Sequence, residues 1–414
     1  MLFGSSGIRR IFDEDLLKLS VSVGIAVAKN NKSVVVGRDA RTTGNLLMQG
    51  FMAGAMYAGA DVINGGIAPT PTVAYAAKTS DAGCCITASH NPEEYNGIKL
   101  INPDGSAFTK NQQKEIGDLL NDPDTSDWQL QGDVSVKDII SGHKKAILEK
   151  ISIKSGTDMV VDCGGGAGCM ITPGLLKEAG VKTNCINCHI SGKFPRPSEP
   201  LEKNLHYIPA MIKKTKSAGA IIHDGDADRF MAFDEKGRYI GGDHMLMLFS
   251  EYLGAKRVVT TADASMAIEE IADVHRTPVG DSYVSEELLS WGDFGGEPSG
   301  SWLFPGHSLC PDGIYAAALF ARIAAETNIS EITDKMPDYP ILRSSYVCEN
   351  AKDILIKLGA DIPTDGIRIS DEDGWCLIRA SGTEPKVRIT AEGRTKQKAK
   401  EMEEKGKKIL SSGK

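Results

Sequence analysis

The chain reads as an α/β protein: three related mixed α/β sandwich domains, then a smaller C-terminal α+β domain. Three observations predict this. Its 414 residues are too many for one core, so two to four domains are expected. Three segments, residues 33–41, 158–168 and 257–265, each run from a β-branched strand into a turn of small residues. The 44 glycines suit an enzyme whose backbone approaches ligands at many points.

Taken in order, each of those strands and turns is followed by a helix-compatible stretch, at 45–60, 172–179 and 266–272. The repeats are spaced like single domains rather than like solenoid units. After Asp338-Tyr339-Pro340 the pattern changes. A helix at 351–358, strands at 375–379 and 386–391 and a Lys/Glu-rich helix at 396–409 predict a small α+β unit, the last helix with a solvated face. The boundaries that follow are 1–141, 142–237, 238–336 and 337–414.

Composition excludes several classes. A formal net charge of −8 argues against a nucleic-acid surface. No apolar run is long enough to span a membrane. Residues 1–10 lack the apolar core of a signal peptide, so a cytoplasmic chain with reduced cysteines is expected. Cys185 and Cys188 before His189 match the short pattern for haem attachment, but no export signal precedes them; small buried or loop cysteines are the simpler reading. The glycines at 164–168 follow a strand without the acidic residue a dinucleotide site needs, and read as tight strand–helix packing.

Four segments carry chemistry. In the first, Thr87-Ala88-Ser89-His90-Asn91-Pro92, an apolar strand must end in a turn because Pro92 lacks an N–H and restricts Asn91. Ser89 is thereby presented as a covalent group carrier would be. The pair Asn96-Gly97 predicts a turn that folds Lys99 back toward it, for acid–base work or as a phosphate partner; an ordinary surface lysine is the bland alternative. In the second, Asp224, Asp226 and Asp228 alternate with Gly225 and Ala227 between two apolar strands. Three short carboxylates in a tight loop suit Mg²⁺. An EF-hand is excluded because Arg229 stands where its loop needs Gly; a solvated acidic turn would leave three carboxylates repelling. Arg229 beside them favours an anion bridging the metal. In the third, Glu297 and Ser299 lie between glycines and would point the same way in an extended backbone, able to grip vicinal sugar hydroxyls; a structural turn fits equally. In the fourth, Arg379, Ser381, Thr383 and Arg388 form a phosphate cradle without the Walker Gly-Lys-Ser/Thr ending; a polar hairpin turn is its alternative.

Together these segments resemble the α-D-phosphohexomutase family, over essentially the whole chain. The resemblance rests on Thr-Ala-Ser-His-Asn-Pro at 87–92, Asp-Gly-Asp-x-Asp-Arg at 224–229, Gly-Glu-x-Ser at 296–299 and Arg-x-Ser-Gly-Thr-Glu-Pro at 379–385. It implies four domains around a central cleft, a phosphoserine at Ser89, and one Mg²⁺ held by Asp224, Asp226, Asp228 and the phosphorylated Ser89. It places His90, Lys99, Arg229 and Arg9 around the transferring phosphoryl. Glu297 and Ser299 would hold sugar hydroxyls, and Arg379, Ser381, Gly382, Thr383 and Arg388 the other phosphate. Gly7-Ile8-Arg9 is similar to the family's opening motif, with Arg10 in place of its usual glycine; Ala227 replaces a glycine of the metal loop.

The expected substrate is a sugar phosphate, the expected partners no nucleic acid and no membrane, and the expected assembly a monomer or homodimer. The run Gly296-Glu-Pro-Ser-Gly-Ser-Trp302 with Cys310-Pro-Asp-Gly313 is most similar to archaeal members acting on glucosamine phosphates. The alternative is a member acting on mannose or glucose phosphates. A phosphatase would have no need of the second cradle, and a non-catalytic sensor would not need Ser89 and the aspartates intact.

Overall fold

The computed structural model describes residues 2–4, 7–120, 127–381 and 385–412. Its first sheet uses β1 (Ile8–Ile11), β2 (Ser33–Arg38), β3 (Asp61–Ile67), β4 (Ala82–Ile86), β5 (Tyr95–Ile101) and β6 (Val134–Val136), in the order β1-β5-β4-β2-β3-β6. The second uses β7 (Asp158–Asp162), β8 (Lys182–Ile186), β9 (Ala220–His223), β10 (Phe230–Phe233) and β11 (Tyr239–Ile240), in the order β11-β10-β9-β7-β8. The third uses β12 (Arg257–Thr261), β13 (Asp273–Thr277), β14 (Phe294–Glu297) and β15 (Ser301–Leu303), in the order β13-β12-β14-β15.

These three sheets repeat one arrangement. Two parallel neighbours flank the first strand of each repeat: β3 and β4 beside β2, β8 and β9 beside β7, β13 and β14 beside β12. The last parallel strand then turns back into an antiparallel partner, β4 into β5, β9 into β10 and β14 into β15. Central strands read as continuous apolar runs because helices cover both faces; Val34, Val35 and Val36 are all fully buried. The fourth sheet is antiparallel, β16 (Ile341–Val347), β17 (Ile367–Asp371), β18 (Gly374–Ala380) and β19 (Lys386–Gly393), in the order β16-β19-β18-β17. The helix Lys396–Ser412 lays Ala399, Met402, Gly406 and Leu410 on it and leaves its charged positions outward.

The second and third domains share one continuous core, in which Phe230, Phe249, Phe294, Trp302 and Phe320 interlock. The fourth domain has its own core and meets the third through a small patch of Met266, Trp375 and Leu377. Beside it the buried Glu392 carboxylate accepts from Ser265 Oγ (2.5 Å), Met266 N (2.7 Å) and Trp375 Nε1 (2.5 Å).

Two local expectations need correction. Asn96-Gly97 is not a turn; both residues lie inside β5, where Gly97 pairs with Arg9. A Cβ on Gly97 would fall 2.0 Å from Ile8 O, so the glycine permits close strand approach instead. The glycines at 164–168 do more than pack a strand on a helix. They lead into the short 3₁₀ turn Ala167–Met170, and a Cβ on Gly166 would meet Gly225 O at 2.5 Å. They form the seat of the aspartate loop.

Candidate active site

The singled-out segments are the connections of four antiparallel pairs: 87–94 between β4 and β5, 224–229 between β9 and β10, 298–300 between β14 and β15, and 381–385 between β18 and β19. One topological position in each domain thus supplies one loop.

Ser89 is 1% exposed and has φ 48°, a left-handed conformation uncommon for a residue with a side chain. Its Oγ donates to Asp224 Oδ2 at 2.7 Å and lies 3.4 Å from Asp228 Oδ1. Ala227, at φ 52°, curls the aspartate loop in the same way. Asp224, Asp226 and Asp228 are buried, with ligand oxygens within 4.8 Å of one another. Lys99, in β5, reaches Asp226 Oδ2 (2.7 Å) and Asp228 Oδ2 (2.5 Å). The β4–β5 pairing brings it there, setting Lys99 opposite Cys85 just before the Ser89 loop. Thr70 Oγ1 donates to Asp226 Oδ2 at 2.5 Å. Asp226 Oδ1 is buried without a hydrogen-bond partner among the described residues.

The charges are strongly biased. Burial and the two neighbouring aspartates push the Asp224 carboxyl up, and burial with Asp226 does the same to Asp228. Burial would raise Asp226 too, but the Lys99 ammonium outweighs it and holds Asp226 below the usual range. Lys99 stays charged for the reciprocal reason: burial opposes its charge, and Asp226 and Asp228 more than restore it. Burial, then the Arg229 and Arg9 cations, depress the His90 imidazole to about 2, so the ring is neutral. His90 Nδ1 and Arg9 Nε are both buried without a partner among the described residues. Buried polar groups of this kind are rarely left so, and beside three cations they mark an anion's place.

The third loop joins the same centre. Arg229 bridges to Ser301, and Phe230 N donates to Gly300 O at 2.9 Å. Ser299 Oγ donates to Glu297 Oε2 at 3.3 Å. The tight β14–β15 turn brings these two together, not the extended backbone expected. Burial, then Asp281 and Asp263, raise the Glu297 carboxyl to about 8. In the fourth domain, Arg379 and Arg388 are direct cross-strand partners, and Arg379 Nη2 lies 4.0 Å from Asp263 Oδ2. Ser381 is buried. Gly382 and Thr383 lie outside the described residues.

Sequence reasoning missed the residues that hold these loops. Arg41, fully buried, donates to the carbonyls of Ser89 (2.8 Å), Asn91 (2.7 Å), Pro92 (2.5 Å) and Tyr95 (2.9 Å). Asp39 orients it, with Asp39 Oδ2 3.0 Å from Arg41 Nε and 2.7 Å from Thr87 Oγ1. The second domain repeats the device: Arg196 donates to His223 O at 2.6 Å and faces Asp162 at 3.3 Å. For Asp39 and Arg41 a signal was available, a charged pair directly after a central strand; Arg196, 34 residues from Asp162, left none. Thr70 and Asp281, which line a cavity with Lys99 and Asp228, carried no signal of their own.

Comparison with known proteins decides the family. Residues 1–127, 138–237, 241–339 and 329–407 match, in turn, domains I, II, III and the C-terminal domain of phosphoglucomutase/phosphomannomutase. The chain belongs to the phosphoglucomutase/phosphomannomutase family. Among its relatives, a probable phosphoglucosamine mutase of Methanococcoides burtonii is 43% identical, covering 95% of each chain. A phosphoglucosamine mutase of Methanococcus maripaludis is 41% identical over 100% of this chain and 99% of its own. A family protein of Burkholderia thailandensis superposes with a TM-score of 0.88 at 25% identity, covering 100% of this chain and 97% of its own. The Aspergillus fumigatus N-acetylphosphoglucosamine mutase, solved with GlcNAc-6P and magnesium, shares the fold at 16% identity with a TM-score of 0.61, covering 100% of this chain and 96% of its own. No helix among the described residues is long and apolar enough to cross a membrane.

Proposed function

We propose that the chain interconverts glucosamine 6-phosphate and glucosamine 1-phosphate through a phosphoryl group carried on Ser89 and a bisphosphorylated sugar. Full-length likeness at 43% and 41% to archaeal phosphoglucosamine mutases supports the substrate. One observation carries the chemistry: Ser89 Oγ, held in a left-handed turn, is hydrogen-bonded to a buried carboxylate cluster.

The donor set fits Mg²⁺, being all oxygen, buried, and with Asp226 Oδ1 unpartnered among the described residues. Asp224, Asp226 and Asp228 would hold one ion together with the phosphorylated Ser89. When bound, it neutralises phosphoryl oxygens, which phosphoryl transfer needs more than covalent ingenuity. Arg9, Lys99 and Arg229 add positive charge around the same group. The sugar hydroxyl bonds to phosphorus as the phosphorus–Oγ bond breaks, with net transfer of its proton to Ser89 Oγ, and the neutral His90 ring lines the site as a hydrogen-bonding partner of the transferring group. Glu297 and Ser299 orient sugar hydroxyls. Arg379, Ser381, Gly382, Thr383 and Arg388 hold the phosphate that is not transferring, so that the bisphosphorylated sugar can turn and return its other phosphoryl to Ser89.

Intact-mass measurement paired with coupled assays on glucosamine, glucose and mannose phosphates tests this reading. A phosphoryl adduct absent from Ser89→Ala is expected, with the glucosamine ester giving the highest kcat/KM. Inorganic phosphate accumulating faster than isomer would make the protein a phosphatase. A clear preference for mannose or glucose phosphate would move the substrate but keep the chemistry.

A further inference from the structure

A second cluster of metal-ligating side chains lies where three domains meet. His143 comes from the helix Ile140–Lys150, and His307 and Asp312 from the segment after β15. Tyr75, from the first-domain helix Thr70–Ala77, stacks on both imidazoles, with centroids 5.3 and 5.6 Å away. Asp312 Oδ2 lies 3.0 Å from His143 Nε2 and 3.4 Å from His307 Nε2. All three ligand atoms are within 4.8 Å of one another, and all three residues are buried.

Two details separate this cluster from an ordinary hydrogen-bonded histidine pair. His307 is only 5% exposed, yet its Nε2 makes no hydrogen bond among the described residues. A buried imidazole nitrogen 3.4 Å from a carboxylate oxygen, without the alignment of a hydrogen bond and with that oxygen already facing a second imidazole, is the arrangement a shared cation would explain. The spacing also fits: bonds of about 2.0–2.1 Å in a tetrahedral site put neighbouring ligand atoms roughly 3.3 Å apart. The two edges at Asp312 Oδ2, 3.0 and 3.4 Å, bracket that value. The far nitrogen of His143 bonds Thr72 Oγ1 at 2.9 Å, the outer contact that fixes a ligating imidazole.

We propose that His143, His307 and Asp312 bind one Zn²⁺, separate from the carboxylate cluster at Ser89. Two nitrogens and one oxygen suit zinc and not Mg²⁺ or Ca²⁺, which take oxygen ligands. Lys78 Nζ, 2.7 Å from His307 O, and Lys150 Nζ, on Gly306 O, hold the loop by its carbonyls. The ion would join the second and third domains where Tyr75 and Thr72 of the first pack against them. Asp312 Oδ1 caps the helix Gly313–Glu326 through Ile314 N (3.0 Å) and Tyr315 N (2.8 Å). Gly313 packs against the aspartate loop so closely that a Cβ would meet Arg229 O at 2.5 Å.

The full-length protein, stripped with chelator and then dialysed with Zn²⁺ against excess Mg²⁺, should retain about one zinc per chain by elemental mass spectrometry. Asp224→Asn should retain it, and a folded His307→Ala should lose it. Co²⁺ added to the stripped wild-type protein should give the visible bands of a low-coordinate site, bleached by Zn²⁺ but not by Mg²⁺. That reading needs no variant, so a His307→Ala that does not fold leaves the test intact. Sub-stoichiometric zinc in the wild type, zinc retained by folded His307→Ala, or octahedral-type Co²⁺ bands would each overturn the proposal.

Discussion

Arg41 lies wholly inside the first domain and binds four carbonyl oxygens of the loop that presents Ser89, whereas Arg379 and Arg388 stand opposite one another in a domain that meets the third through a small apolar patch, Glu392 and polar contacts such as Arg368 Nε to Ala262 O and Arg394 to Glu270. The two regions divide the work proposed for the molecule. Around Ser89 the aspartates and Lys99 are fixed by buried contacts before substrate arrives, which is what transition-state stabilisation by preorganised groups requires. At Arg379 and Arg388 two like charges face each other across adjacent strands, with Arg379 Nη2 also 4.0 Å from Asp263 Oδ2, a pairing that a bound anion would favour. A phosphate that must be released, turned and rebound is better served by the second kind of site.

The largest expected effect is at the fixed region. Ser89→Ala removes the group carrier, and mutase turnover should fall by about 10⁴-fold or more, as when a covalent nucleophile is deleted. Single-turnover and steady-state assays should agree, with the fold intact by circular dichroism. Turnover within tenfold of wild type would mean that the serine carries nothing.

Next comes the support beneath it. Arg41→Ala leaves Asp39 buried without its cation and four carbonyls without a donor. Breaking one side of a buried ion pair costs about 3–5 kcal/mol, read as a lower unfolding midpoint. Displacing the Ser89 loop should also lower kcat by about 100-fold in whatever protein still folds. If Arg41→Lys restores both stability and kcat, the four-carbonyl clamp is not what places Ser89, because an ammonium cannot reproduce that fork.

The open region should answer differently. Arg379→Ala or Arg388→Ala removes one charge-assisted contact to phosphate, worth about 1.5–3 kcal/mol. KM should rise by about 10–100-fold while the unfolding midpoint stays within about 1 °C, as expected of partly exposed charges. A midpoint that falls as far as in Arg41→Ala would erase the distinction between the two regions.

How legible each region was follows from the kind of residue that builds it. The strands 33–38 and 158–162 were readable because apolar, β-branched runs need burial on both faces. Ser89, the three aspartates, Glu297 and the two arginines stand out as candidates in the sequence because the chemistry proposed for them is local to short loops. Arg196 and Thr70 do not, because each acts on backbone or carboxylates brought near only by the sheet; Arg41 shows in the sequence only as half of a charged pair with Asp39 after a central strand, and its four carbonyl partners are a tertiary fact. Gly97 was misread for the same reason. Asn-Gly is a local turn signal, but the approach of β1, which only a glycine allows, is a tertiary fact.

The smallest expected effect lies between the two regions, at Glu297. Burial, with Asp281 and Asp263, raises its carboxyl to about 8, above the ordinary 4.5. A raised carboxyl means the folded chain binds more protons than the unfolded chain between those values. The stability tied to its protonated form is therefore present below about pH 4.5 and is lost as pH rises through about 8. Glu297→Gln cannot ionise and escapes that loss. Measured without substrate, wild type and variant should diverge between pH 5 and 8.5, with the wild type falling further. Divergence in the opposite sense would mean that Glu297 is held ionised, with Arg229 outweighing burial, and that it meets the sugar as a hydrogen-bond acceptor alone.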